Sequence, residues 1–139
     1  MVRYTSSNEF TNLTTTQNFE GTVVLLNLED WKSQIKRGTL EYCILLMISK
    51  KAYYGYEIIS ELEKSPMLAA KESTIYPLLR RLLKDGLLSS YWQETTEGLP
   101  PRKYYTITED GKTYLAAMSA EWQSLLQAIA EISGGTADT

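Results

Sequence analysis

Ser73, Thr74, Tyr76, Arg80, Arg81 and Lys84 fall close together in the stretch STIYPLLRRLLKDGLLSSYW, which runs from Ser73 to Trp92. Hydroxyls and backbone N–H groups at the start of a helix can meet phosphate oxygens. Arginines can contact phosphates or read guanine edges. Interleaved with these groups, Ile75, Leu78, Leu79, Leu82 and Leu83 recur at i, i+3, i+4, i+7 and i+8, which makes one apolar stripe. The stretch therefore predicts a helix anchored to a core on one side and basic on the other. A second pair of cations, Arg102 and Lys103, follows in RKYYTIT. An ordinary solvated basic face is the competing reading, since such helix faces are common.

Other chemistries start poorly. The 139 residues include no histidine, which removes the commonest general base and the commonest metal ligand. The one cysteine, Cys43, sits in the apolar run LEYCILLMI and reads as a small core residue rather than a nucleophile. No carboxylate dyad has a defensible spacing, so neither an enzyme nor a metal or cofactor site is expected. A single cysteine also forbids an internal disulfide, and a reducing compartment is the default. No apolar run approaches the length of a membrane span. The N-terminus lacks the basic-then-apolar layout of a secretory signal.

The formal net charge of −3 looks wrong for a nucleic-acid binder, but its distribution matters more than its sum. Lys71 to Thr108 holds six cations against four carboxylates, whereas Glu109 to the C-terminus holds one against five. The middle is basic and the end acidic, so the two parts are expected to face different partners.

These residues need elements to position them. Residues 1–28 are rich in Thr, Ser and Asn and read as a flexible N-terminal arm, with GTVVLLNL as a possible short strand. Asp30 is the expected N-cap of a first helix, with a weak point at Gly38. KKAYYG reads as a turn. YGYEIISELEKS predicts a second helix with Tyr56, Ile59 and Leu62 along one side, ended by Pro66. The third helix is capped at Ser73 or Thr74, which keeps Pro77 in the first turn, and Gly86 ends it in a left-handed conformation. LLSSYWQE and RKYYTIT then read as two strands of a hairpin around the loop TTEGLPP. Thr108 caps a last helix that runs to about Ile132, and SGGTADT follows as a disordered tail.

Three helices, a hairpin and a further helix make a mostly α fold with a small β-hairpin wing. This is the winged helix-turn-helix plan over residues 29–108, in which the third helix enters the DNA major groove. Residues 109–132 form the expected C-terminal dimerisation helix, and 133–139 the tail.

STIYPLLRRLLKDGLL followed by PPRKYYTITEDGK, with GTLEYCILLMI and YGYEI upstream, resembles the PadR family of bacterial transcriptional regulators. The resemblance covers roughly Lys36 to Ile132 and leaves the first 28 residues outside it. It implies a cytoplasmic homodimeric regulator, usually a repressor, that binds double-stranded operator DNA. By this resemblance the DNA surface includes Ser73, Thr74, Tyr76 and Arg80, with Arg102 and Lys103 in the wing.

In the last helix Leu115, Met118, Trp122, Leu125, Ile129 and Ile132 are spaced 3, 4, 3, 4, 3. That heptad seam suits another helix, either within the chain or from a second copy. The resemblance favours a dimer, whose two recognition helices spaced by about 34 Å read a palindromic site. One branch of the family encloses a pore where flat aromatic drugs stack on a tryptophan of the last helix. Trp122 stands at the matching place, and Trp31 is a weaker candidate for lining the same space. A small aromatic or phenolic effector is thus the ligand that the resemblance implies, against plain interface packing of Trp122. Two other functions stay open at this point: a winged-helix module that binds protein, and a small-molecule binding protein without a DNA role.

Overall fold

The computed structural model describes residues 13–17 and 23–135. Two compact units are present, Met1–Leu40 and Glu41–Thr139. In the first unit, β1 (Leu13–Gln17) and β2 (Val23–Asn27) pair antiparallel from Leu13↔Asn27 to Gln17↔Val23. The strand expected in GTVVLLNL is therefore present, and the Thr-rich segment before it supplies its partner. Much of the expected N-terminal arm, and the last four residues of the tail, lie outside the described residues.

Helix α1 (Leu28–Ile48) starts before the expected cap at Asp30. Glu29 and Asp30 instead occupy its first turn, where carboxylates offset the exposed N–H groups. The helix runs through Gly38 without a break.

The second unit builds one core. Ile44, Leu45 and Ile48 of α1 are buried with Ile58, Ile59 and Leu62 of α2 (Gly55–Glu63) and Ile75, Leu79 and Leu82 of α3 (Glu72–Lys84). Leu88 of β4 (Leu88–Gln93) and Tyr105 of β5 (Arg102–Ile107) close it. Tyr56 corrects the expected side of α2: it is exposed, because the buried stripe runs through Ile58, Ile59 and Leu62. At the start of α2 the Glu57 carboxylate accepts a hydrogen bond from the Tyr54 backbone N–H at 3.1 Å, half of a capping box.

The segment expected as a turn before α2 contains a strand, β3 (Tyr53–Tyr54). It pairs with β5 through Tyr53↔Tyr105 and Tyr54↔Tyr104, so the sheet has three strands in the order β3-β5-β4. Two residues are too short to show an alternating period, and only the pairing with β5 reveals them.

The two ends of the wing are tied to the helices by local bonds. Gly86 has φ +79°, and the Leu87 N–H returns to the Leu82 carbonyl at 3.0 Å, which ends α3 as expected. The Thr108 hydroxyl accepts from the Gly111 N–H at 2.9 Å and donates to the Gly86 carbonyl at 2.7 Å. One side chain thus caps α4 (Glu109–Ile132) and fastens it to the end of α3. No helix among the described residues is long and apolar enough to cross a membrane.

Candidate nucleic-acid interface

Helix α3 is capped by the extended Lys71, whose carbonyl accepts from the Thr74 and Ile75 N–H groups at 2.9 and 3.0 Å. The helix therefore begins before the expected cap at Ser73 or Thr74, and Pro77 lies in its interior. Proline has no N–H, so the Ser73 carbonyl loses its helical donor there. Ile75, Leu79 and Leu82 are completely buried, and Leu78 and Leu83 are half-buried along the edges of the stripe. Burial of that stripe turns Ser73, Thr74, Arg80 and Lys84 outward, and all four are exposed.

Tyr76 is half-buried against the start of α2. A Cβ on Gly55 would stand 2.5 Å from the Tyr76 ring and hydroxyl, so the close approach of these helices depends on glycine at position 55. Burial pushes the Tyr76 hydroxyl above its ordinary pKa, and Glu72 adds to the shift. The Tyr105 hydroxyl is raised as well, first by burial and then by Tyr76, while Arg80 pulls it down. Tyr105, Tyr76 and Arg80 thus form one electrostatic neighbourhood where the wing meets α3.

Arg81 points elsewhere. Its Nη2 donates to Glu41 Oε1 of α1 at 2.7 Å. Successive helical residues diverge by about 100°, so Arg80 faces the wing side while Arg81 braces α3 against α1. Among the described residues neither Arg80 nor Lys84 forms an ion pair. Lys84 in the last turn also suits the carbonyl end of the helix dipole.

Strand alternation separates the two wing cations. Leu88↔Ile107, Ser90↔Tyr105 and Trp92↔Lys103 share one face with the buried Tyr105. Ser89↔Thr106, Tyr91↔Tyr104 and Gln93↔Arg102 share the other. On that outer face the Arg102 guanidinium lies 4.5 Å from the centre of the Tyr54 ring. Tyr54, Tyr104 and Tyr91 continue the row, with ring centres 5.4 and 5.6 Å apart. Lys103 instead extends toward the rings of Tyr105 and Trp92, at 5.8 and 6.0 Å. Sequence reasoning took Arg102 and Lys103 as one basic pair. Their adjacency in a strand was already the signal that they diverge.

The last helix is built differently. Leu115, Met118 and Trp122 are half-buried, but Leu125, Ile129 and Ile132 are exposed, Ile132 by 86%. Trp122 stacks on Tyr42 of α1 at 5.4 Å with 19° between the planes. The Tyr42 hydroxyl shares a hydrogen bond with Ser119 Oγ at 3.0 Å. One face of the indole is thereby covered from within the chain. Cys43, which follows Tyr42 in α1, is half-buried, and burial pushes its thiol above the usual range. Trp31 is exposed on the first-unit half of α1. Among the described residues no group of three or more His, Cys, Asp or Glu side chains could hold a metal ion.

Comparison with known proteins decides the family. Residues 44–117 match the model of the transcriptional regulator PadR-like family, a span that takes in α2, α3, the wing and the start of α4. The chain belongs to that family. It is 35% identical over 79 residues to the negative transcriptional regulator PadR of Bacillus subtilis, covering 55% of this chain and 42% of that protein. A solved PadR-like transcriptional regulator from Bacillus cereus is 35% identical, with 73% of this chain and 98% of that one covered and a TM-score of 0.66. A PadR family regulator from Eggerthella lenta is 31% identical, with 76% and 90% covered and a TM-score of 0.67. The resemblance read from the sequence motifs is thus established, and so is the winged-helix fold class. The PadR-like span includes all eight positions expected to face DNA, but ends before Trp122 and the exposed Leu125, Leu126, Ile129 and Ile132 of α4.

Proposed function

We propose that this PadR-type regulator is a repressor that binds a palindromic operator as a homodimer. One observation carries the reading: burial of Ile75, Leu79 and Leu82 leaves Ser73, Thr74, Arg80 and Lys84 together on the outward face of α3, with Tyr76 and the wing beside them. Hydroxyls and helix-start N–H groups suit phosphates, and Arg80 suits a base edge or a phosphate. Lys103 extends the surface along the wing on the side of Tyr105, and Arg102 serves the flank reached from the outer face. Arg81, held by Glu41, positions α3 and adds positive potential. The description of the Bacillus subtilis relative as a negative regulator favours repression.

Dimerisation rests on α4. Leu125, Leu126, Ile129 and Ile132 make an exposed apolar surface on a regular helix, and such a surface in a single chain marks an interaction site. A second copy presenting the same seam completes it and sets two recognition helices about one turn of DNA apart. A flat aromatic or phenolic effector has a place at the half-buried Trp122, where Tyr42 backs one face of the indole and an aromatic plane suits stacking. Release from DNA then requires that the effector favour one dimer arrangement over another.

Fluorescence anisotropy of duplex DNA from upstream of the protein's own gene, set against scrambled DNA over several salt concentrations, tests the reading. Tight cognate binding with log affinity falling linearly in log salt is the expected result. No binding to either duplex at low salt sinks it and leaves a protein-binding module. Quenching of tryptophan emission by planar aromatics, with DNA changing nothing, instead describes a small-molecule binding protein.

A further inference from the structure

Trp92 is the most exposed aromatic side chain among the described residues, at 68%. It lies at the far end of β4, away from the buried Leu88 end. An indole left in water is unusual, because tryptophan is on average among the more buried residues. Neither the core nor the α4 seam accounts for it. Its surroundings do. Trp92 is the cross-strand partner of Lys103, whose ammonium lies 6.0 Å from the centre of the Trp92 ring and 5.8 Å from that of Tyr105. Tyr105 is in turn within electrostatic range of Arg80 and Tyr76 on α3. Strand alternation puts Trp92 on this face and not on the outer face of Arg102 and Tyr104. Lys103 and Trp92 therefore form a basic-aromatic edge of the wing on the side of the sheet that carries Tyr105, whose buried ring backs Lys103.

We propose that Trp92 is a DNA-backbone contact of the wing, an assignment that rests on the DNA-binding reading above. The indole N–H donates to a phosphate oxygen next to the one met by Lys103, and the ring plane covers the apolar edge of a deoxyribose. A tryptophan suits this place because it has one donor, no charge and a large flat surface. A charged wing residue adds to the salt dependence of binding, whereas Trp92 adds affinity without doing so. The loop beyond it, residues 94–101, carries Glu94 and Glu97 and exposes Leu99. The backbone contact is therefore made by the strand beside Lys103, and the acidic tip stays clear of the phosphates.

The test uses the full chain labelled with 5-fluorotryptophan and duplex DNA from upstream of its own gene, at low salt. The Trp92 fluorine resonance is identified by its loss in Trp92→Phe. Free protein shows an H2O/D2O solvent shift at this resonance, and saturation with DNA abolishes it. Trp92→Ala weakens binding about tenfold, the scale of one hydrogen bond to a charged group. It leaves the slope of log affinity against log salt unchanged. Lys103→Ala lowers that slope by about one unit. Trp92→Phe, which keeps a ring but loses the N–H, falls between wild type and alanine. Should Trp92→Ala fold poorly, Trp92→Phe and the resonance of the wild-type chain carry the test. If anisotropy reports bound DNA while the Trp92 resonance keeps its solvent shift, the assignment is overturned and the DNA reading stands. Loss of the solvent shift on concentrating the protein without DNA overturns it in favour of self-association. Failure of the wild-type chain to bind any duplex at low salt removes both.

Discussion

Helices α3 and α4 are both amphipathic, yet they finish their apolar faces in opposite ways. In α3 the stripe closes inside the domain, with Ile75, Leu79 and Leu82 wholly buried. In α4 the only buried residue is Gly111, and Leu125, Ile129 and Ile132 remain 48%, 53% and 86% exposed. A closed stripe fixes which way the remaining face points, so α3 presents a defined polar surface. An open stripe leaves its apolar side chains in water within the single chain. The same sequence pattern thus leaves an ordered polar face on one helix and an uncovered apolar face on the other, and the difference lies in what the rest of the chain packs against each.

Core truncation breaks this contrast most strongly. Leu79→Ala is expected to cost about 2–5 kcal/mol by removing packed atoms and leaving a cavity, measured by urea unfolding at fixed protein concentration. Ile132→Ala changes unfolding far less, because its side chain is mostly in water within the single chain. A large loss from Ile132→Ala at dilutions where only single chains exist would show that α4 closes internally after all.

The open face is sharpened by charge. Leu125→Asp combined with Ile129→Asp is expected to halve the mass seen by light scattering while far-UV circular dichroism stays unchanged. DNA affinity then falls with the loss of the second half-site. Unchanged mass would place the self-association surface elsewhere.

The next effect separates neighbours on α3. Arg80→Ala is expected to cost about 1–3 kcal/mol of DNA binding and to lower the salt slope by about one. Arg81→Ala breaks the 2.7 Å pair with Glu41, a partly exposed contact whose contribution to stability is about 0–1 kcal/mol. Its effect on DNA affinity is the smaller of the two. Equal losses in anisotropy titrations would erase the distinction between a contacting and a bracing arginine.

The smallest effect concerns the junction between the two helices. Thr108→Ala removes both the cap on Gly111 and the bond to Gly86, at a cost of about 1 kcal/mol seen in thermal unfolding. Thr108→Ser, which keeps the oxygen, recovers most of it.

Much of this contrast was legible in the sequence. The α3 stripe, the stop at Gly86, the hairpin and the Thr108 cap all follow from local rules that need only a few neighbours along the chain. Pro77 misled, because the rule that favours proline in a first turn is a preference, and here the cap falls at Lys71. Strand β3 was invisible for another reason: Tyr53 and Tyr54 pair with residues fifty positions away. The Arg81–Glu41 pair spans forty residues and has no local signature. Tyr56 went to water because α2 is short and its buried side is set by Ile58 and Leu62. The divergence of Arg102 and Lys103 was available from alternation alone, whereas exposure of the Leu125 to Ile132 face depends on what is missing around it.

Glu41 and Tyr42 are consecutive on α1, and each grips a different helix: Glu41 holds Arg81 of α3, and Tyr42 holds Trp122 and Ser119 of α4. Their side chains leave the α1 axis about 100° apart. Glu41 and Tyr42, one peptide unit apart, thus tie α3 and α4 to the same turn of α1, so truncating either residue removes one tie and leaves the other in place.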